Sequence, residues 1–156
     1  MRAFYLRLRN RLFHILFLLI RPMTLGARVV LFNELGQICL IKHGYVAGWQ
    51  LPGGGVDTGE TIEHAAAREL AEEAGFQPTQ PLTLFAAYKN EKASKRDHVL
   101  VYVCRTAAPI KGFKIDGREI IACQFFSTDA LPDDITASTK RRIDEVTGKT
   151  NIDAYW

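Results

Sequence analysis

The chain has 156 residues, a size for one ordinary domain, and its 47% apolar content is enough to close a core, which excludes wholesale disorder. The 20 Lys and Arg against 17 Asp and Glu leave a formal charge of +3, too small to make specific nucleic-acid binding the expected role. The three cysteines, Cys39, Cys104 and Cys123, stand far apart in apolar, strand-like runs, with no zinc or C-x-x-C spacing. An odd count argues against a disulfide framework, so buried free thiols in a reducing, cytoplasmic compartment are expected.

The charge is uneven: Arg2, Arg7, Arg9, Arg11 and Arg21 crowd residues 1–22, which contain no acid. The apolar run Leu12–Ile20 is nine residues long, whereas a spanning helix needs about 20. Arg21-Pro22 follows in place of a small-residue cleavage site, so a cleaved signal is not expected. Phe4, Leu8, Leu12, Ile15, Leu16 and Leu19 recur at helical spacing, and Pro22 ends the predicted helix. Packing on its own domain or on a second subunit is the first expectation for this helix. Peripheral contact with a membrane surface is the alternative. The oily face of residues 4–20 would be poorly hidden on a small monomer, which favours a homodimer.

Ala27–Phe32 and Gln37–Lys42 read as strands around an Asn33–Gly36 turn, together a predicted hairpin. Residues 43–59 form a loop punctuated by Gly44, Gly48, Gly53, Gly54, Gly55 and Gly59. Thr61–Ala74 is predicted helical, with Gly75 as its stop and Pro78 beyond. Leu82–Tyr88, His98–Arg105 and Ile120–Phe126 read as strands, and Thr136–Val146 as a final helix capped from Thr136 or Ser138. There is no internal repeat or low-complexity linker, hence no second domain beyond the expected division into 1–22 and 23–156.

The chemistry concentrates in Gly54–Phe76, GGVDTGETIEHAAARELAEEAGF. On a helix, Glu69, Glu72 and Glu73 stand at i, i+3 and i+4 and share a face. Three like charges so placed repel one another, and a hard divalent cation such as Mg²⁺ or Mn²⁺ removes that penalty. Arg68 precedes Glu72 by four residues and can orient a ligating carboxylate. Glu60 sits at the helix start, where negative charge is favourable, and the glycines before it can offer backbone groups to a metal or phosphate. An acidic helix alone is more often a solvated face; the coincidence of glycine loop, arginine and acidic triplet within 23 residues outweighs that.

This segment resembles the Nudix box, G-x5-E-x7-R-E-U-x-E-E-x-G-U with U a bulky apolar residue. Gly54, Glu60, Arg68, Glu69, Leu70, Glu72, Glu73, Gly75 and Phe76 occupy every specified position. The lead-in Trp49–Gly54 and the ending of residues 119–132 are similar too, so the resemblance covers about residues 24–146. It implies an α/β fold, an α/β/α sandwich around a mixed, curved sheet, here with an extra N-terminal helix. It also implies a hydrolase that cuts a phosphoanhydride bond in a nucleoside diphosphate linked to another group. Metal is then expected on Glu69, Glu72 and Glu73, with the Gly54 carbonyl as a further ligand and Glu119 as the best acid outside the box. Glu69 is the first choice of general base, while Gly54, Glu60 and Gly75 shape the box.

Substrate recognition is weakly encoded. His43, Tyr45 and Trp49 could stack on a base or touch phosphate, Arg28 could reach phosphate, and Tyr88, Lys89, Arg96 and His98 could line the opposite side. His43 and His98 lack partners at zinc spacing. The expected partner is a small nucleotide. The alternative is an idle Nudix-like module that binds a nucleotide or protein, although its usual mark, a damaged box, is missing. Nothing in the sequence separates a sugar-nucleotide hydrolase from a triphosphate pyrophosphatase.

Overall fold

A computed structural model describes residues 22–156, and the N-terminal helix expected over residues 1–22 falls almost wholly outside them. The strands are β1 (Thr24–Leu31), β2 (Ile38–His43), β3 (Trp49–Gln50), β4 (Phe76–Pro78), β5 (Thr83–Lys89), β6 (Asp97–Cys104), β7 (Ala107–Pro109) and β8 (Ile120–Phe126). The helices are α1 (Ile62–Glu69), continued by a π turn over Leu70–Ala74, and α2 (Ala137–Val146). One sheet runs β1-β6-β5, with β1 parallel to β6 and β5 antiparallel to it. A second, antiparallel sheet runs β3-β2-β8, and β4 pairs with β7 in a short ribbon that the sequence reading did not anticipate.

β1 and β2 are apolar on both sides, and both sides are buried. Ala27, Val29, Leu31, Cys39 and Ile41 pack with Ala65, Ala66, Leu70 and Ala74 of the α1 segment. Val30, Phe32, Ile38 and Leu40 face the other way, toward Leu51, Tyr88 and Ile143 of α2. Continuous apolar runs are what a strand covered on both faces requires. The result is the expected α/β/α sandwich around mixed sheets.

The predicted hairpin does not form as a paired ladder. After Leu31 the strands meet only at a Phe32–Ile38 bridge and the Asn33 turn, where Asn33 Oδ1 accepts from the Leu35 and Gln37 amides at 3.0 and 2.9 Å. The cause lies in the glycine loop. Ala27 N–H donates to Gly54 O, Val29 N–H to Pro52 O and Val56 N–H to Leu25 O, each at 2.9 Å. Residues 52–56 therefore occupy the edge of β1 that β2 would have used, and β2 pairs with β3 and β8 instead.

The helix expected over Thr61–Ala74 forms with a change at its end. Thr61 caps it, its hydroxyl accepting from the His64 amide at 3.1 Å. The last turn widens into the π form, a device common at functional sites. Gly75 then closes it at φ 75, and a Cβ there would strike the Phe113 ring. Thr136 caps α2, as its position suggested.

Candidate active site

Gly53, Gly54 and Gly55 run beside β1 and over the C-terminal end of α1, and two neighbouring hollows open there. One, about 370 Å³, is lined by Arg28, His43, Tyr45, Gln50, the three glycines, Glu69, Glu73 and Glu119. The other, about 390 Å³, is lined by Glu69, Glu72, Glu73, Lys114, Asp116 and Glu119. Glu69, Glu73 and Glu119 border both. A larger depression of about 480 Å³ lies around Leu31, Leu35, Phe76 and Arg105, but Glu34 is its only acid.

The three acids predicted to share one helix face have unequal surroundings, Glu69 at the end of α1 and Glu72 and Glu73 in the π turn. Glu73 is buried; its Oε2 accepts from the Gly53 amide at 2.6 Å, and Oε1 lies 3.6 Å from His43 Nε2. Glu69 is partly covered, with Oε1 at 2.7 Å from Arg68 Nη1, and its carboxylate lies so close to Gly54 that a Cβ there would collide with it. Glu72 is 61% exposed and reaches Arg68 at 3.3 Å. Among the described residues no three His, Cys, Asp or Glu side chains already converge on one point that could enclose a metal ion.

Arg68 binds this region together. It pairs with Glu60 at 2.9 Å and with Glu69 and Glu72, and its Nη2 donates to the Gly55 carbonyl at 3.2 Å. Hydrogen bonds from Arg68 hold the Glu60 carboxyl below its ordinary pKa. Arg28 approaches from β1 and donates to the carbonyls of Gly53 and Leu51. Burial lowers its pKa, opposed by the nearby charges of Glu73 and Glu69. Burial pushes the Glu73 carboxyl up to about 7, against the Gly53 hydrogen bond and the Arg28 charge, which act the other way. Loss of hydration, and then Arg28, keep His43 below its usual value. The Gly54 carbonyl, nominated as a metal ligand, accepts the Ala27 amide and retains a second lone pair.

The structure thus brings together Arg28, His43, Tyr45, Gly54, Glu69, Glu72, Glu73 and Glu119. Tyr45 is 68% exposed at the rim, its hydroxyl 3.3 Å from Glu119 Oε1. Trp49 stands elsewhere: it packs edge-on against Phe126 at 4.9 Å, in the core beneath α2. Strand alternation sends Trp49 and Gln50 to opposite faces, so the neighbour, not the tryptophan, faces the hollow. Tyr88, Lys89, Arg96 and His98 line neither hollow. Tyr88 is fully buried against Glu145, and Lys89 pairs with Glu91 at 2.7 Å. The sequence reading missed Gln50, whose buried Nε2 has no partner among the described residues, and Asp116, whose Oδ1 gathers the amides of Arg118, Glu119 and Ile120. Position two before Pro52 in the lead-in was the available signal for Gln50; Asp116 had none beyond its turn-rich surroundings.

Comparison with known proteins gives the family. The family model for the NUDIX domain matches residues 22–146. A putative 8-oxo-dGTP diphosphatase of Bacillus subtilis is 34% identical over 122 residues, 78% of each chain. An RNA pyrophosphohydrolase of Aeromonas hydrophila is 44% identical over 62 residues, which is 40% of this chain and only 35% of that protein. The crystal structure of a MutT NUDIX hydrolase from Burkholderia pseudomallei superposes with a TM-score of 0.67 at 26% identity, over 79% of this chain and 97% of that one. Hydrolases of this family use divalent metal ions. With the box intact and its acids gathered under the glycine loop, the chain belongs to the NUDIX domain family as a pyrophosphohydrolase acting on nucleotides.

Proposed function

We infer that the protein is a Mg²⁺-dependent hydrolase of a small nucleotide, with Glu69, Glu72 and Glu73 holding the cation and Glu119 and the Gly54 carbonyl completing its oxygen shell. The reading rests on one observation: around the two hollows five acids, Glu69, Glu72, Glu73, Asp116 and Glu119, meet three cations among the described residues, Arg28 and Lys114 in the lining and Arg68 against Glu69 and Glu72. Glu73, its carboxyl raised to about 7 first by burial and then by the charges of Glu69 and Glu119, lies at the centre of this acidic group. The donor set is all oxygen, which suits a hard cation, and Mn²⁺ would serve as well. Glu72, exposed and held by Arg68 at 3.3 Å, would complete the set of ligands.

Bound Mg²⁺ would neutralise phosphate charge and acidify a water. The protein's own groups do the rest. Arg68 fixes the rotamer of Glu69 through one oxygen, leaving Oε2 to accept a proton from the attacking water. Arg28 presents a permanently positive group at the cavity floor for phosphate oxygens. His43, Tyr45 and Gln50 shape the end that meets the rest of the nucleotide.

The test is a phosphate-release screen with Mg²⁺ or EDTA over nucleoside triphosphates, 8-oxo-dGTP, sugar nucleotides, dinucleoside polyphosphates and 5′-triphosphate RNA. Release from at least one small nucleotide, abolished by EDTA, is expected. Tight calorimetric binding of nucleoside diphosphates without release from any substrate would sink the catalytic reading and leave the idle module. A cytoplasmic homodimer, with residues 1–22 at the subunit contact or on a membrane surface, completes the proposal. Met23 and Leu25, exposed where β1 begins, extend the apolar character of that segment. Sedimentation and vesicle flotation of the full chain and of one beginning at Met23 test both ideas.

A further inference from the structure

Cys39 lies inside β2 and Cys123 inside β8, neighbours in the second sheet. The antiparallel register sets Cys39 opposite Phe125 and Cys123 opposite Ile41, so the cysteines are diagonal neighbours on one face of the sheet. Strand twist brings one diagonal of such a pair closer than the other. Here the two sulfurs are 3.4 Å apart. Cys39 is fully buried, whereas Cys123 is partly open to solvent. The third thiol, Cys104, is buried on β6 of the other sheet and turned toward the Thr106 carbonyl at 3.6 Å.

We propose that Cys39 and Cys123 form a redox-modification site, in which a hydroperoxide converts the two thiols into an intramolecular disulfide across β2 and β8. The asymmetry in exposure sets the order of events. The Cys123 thiolate attacks the terminal peroxide oxygen; the O–O bond breaks, giving a Cys123 sulfenic acid and, for hydrogen peroxide, water. The Cys39 sulfur then attacks the Cys123 sulfur, the S–S bond forms, and hydroxide leaves with the Cys39 proton as a second water. Two thiols are oxidised and one peroxide is reduced. A disulfide is about 2.05 Å long, so each sulfur has to move well under 1 Å, within reach of a small side-chain rotation.

The bond would enclose a loop spanning 84 positions, which contains the whole Gly54–Phe76 segment. Cross-linking so long a loop restricts the unfolded chain, so the oxidised protein resists denaturant better than the reduced one. Cys123 Sγ also lies 3.9 Å from the Ala74 carbonyl, which puts the staple against the π turn that carries Glu73.

The experiment uses the full chain, reduced and then treated with hydrogen peroxide, and does not depend on any nucleotide substrate. Thiols titrated after denaturation should fall from three to one, the mass should drop by two hydrogens, and peptide mapping should join Cys39 to Cys123. The urea midpoint should rise on oxidation and return with dithiothreitol. Cys39→Ser should stop at a sulfenic acid trapped by dimedone, and Cys123→Ser should form neither product. Cys104→Ser should behave as wild type. Three thiols surviving in the wild-type protein, a bond that includes Cys104, or an unchanged urea midpoint after cross-linking would each overturn the proposal; the wild-type measurements stand even if a serine variant fails to fold.

Discussion

Two clusters of buried charge sit on opposite sides of the sheets, and they are built on opposite rules. Beneath α2, Arg142 is fully buried, donates to Glu145 and to the Tyr155 carbonyl at 2.7 and 2.8 Å, and stacks over Tyr88 at 3.9 Å. Glu145 takes two further hydrogen bonds, from the Tyr88 hydroxyl at 2.7 Å and the Asp153 amide at 3.1 Å. Charge and hydrogen-bonding capacity there are nearly matched; Arg142 Nε is the one orphan. Beneath the glycine loop, by contrast, acids outnumber cations among the described residues, Glu73 holds its proton to about 7, and His43 Nδ1 and Gln50 Nε2 have no partner among those residues. A buried cluster that satisfies itself supports the fold; one left short of positive charge and of partners is prepared for something that arrives later.

That contrast breaks most visibly at Arg142. Arg142→Ala leaves Glu145 buried without its cation and should cost about 3–5 kcal/mol in urea unfolding, with turnover of the remaining folded protein unchanged. At Glu73 the pattern should reverse: Glu73→Gln should lower turnover about 10²–10³-fold while the fold persists. The same variant carries a pH signature in EDTA. A carboxyl whose folded pKa is raised to about 7 from 4.5 stabilises the fold fully below pH 4.5, and that contribution is lost as pH rises toward 7. Metal-free wild-type protein should therefore lose stability across that window, and Glu73→Gln should lack this part of the slope; identical pH profiles in thermal melts would refute the assignment. Arg68→Ala, which frees Glu60, Glu69 and Glu72 at once, should weaken Mn²⁺ binding about 10–100-fold by calorimetry. The smallest effect belongs to Thr136→Ala, which removes the cap of α2: about 1 kcal/mol in stability and none in kcat/KM.

How much of this was legible in the sequence differs from residue to residue. Gly54, Arg68 and the glutamates of the box were readable because helix spacing and one short loop fix their relations, and those are local. Glu119 was found from its place at the head of β8, yet only the fold brings it to Glu73, 46 positions earlier in the chain. Trp49 was named for its chemistry and proved to face the other core, because a two-residue strand offers no alternation long enough to read. The hairpin failed for a related reason: the partner that takes the edge of β1 is a loop without strand-like composition.

The sequence by itself determined the position of the acidic helix, its glycine stop and, through the box at Gly54–Phe76, the family that it resembles. These follow from interactions within about a dozen residues, where backbone geometry leaves few choices. The tertiary structure decided the rest: which edge β1 gives to the glycine loop, how differently Glu69, Glu72 and Glu73 are exposed, and which distant groups share their hollow. Burial and its electrostatic consequences depend on every element packed around a side chain, and no local pattern in a single sequence encodes that sum.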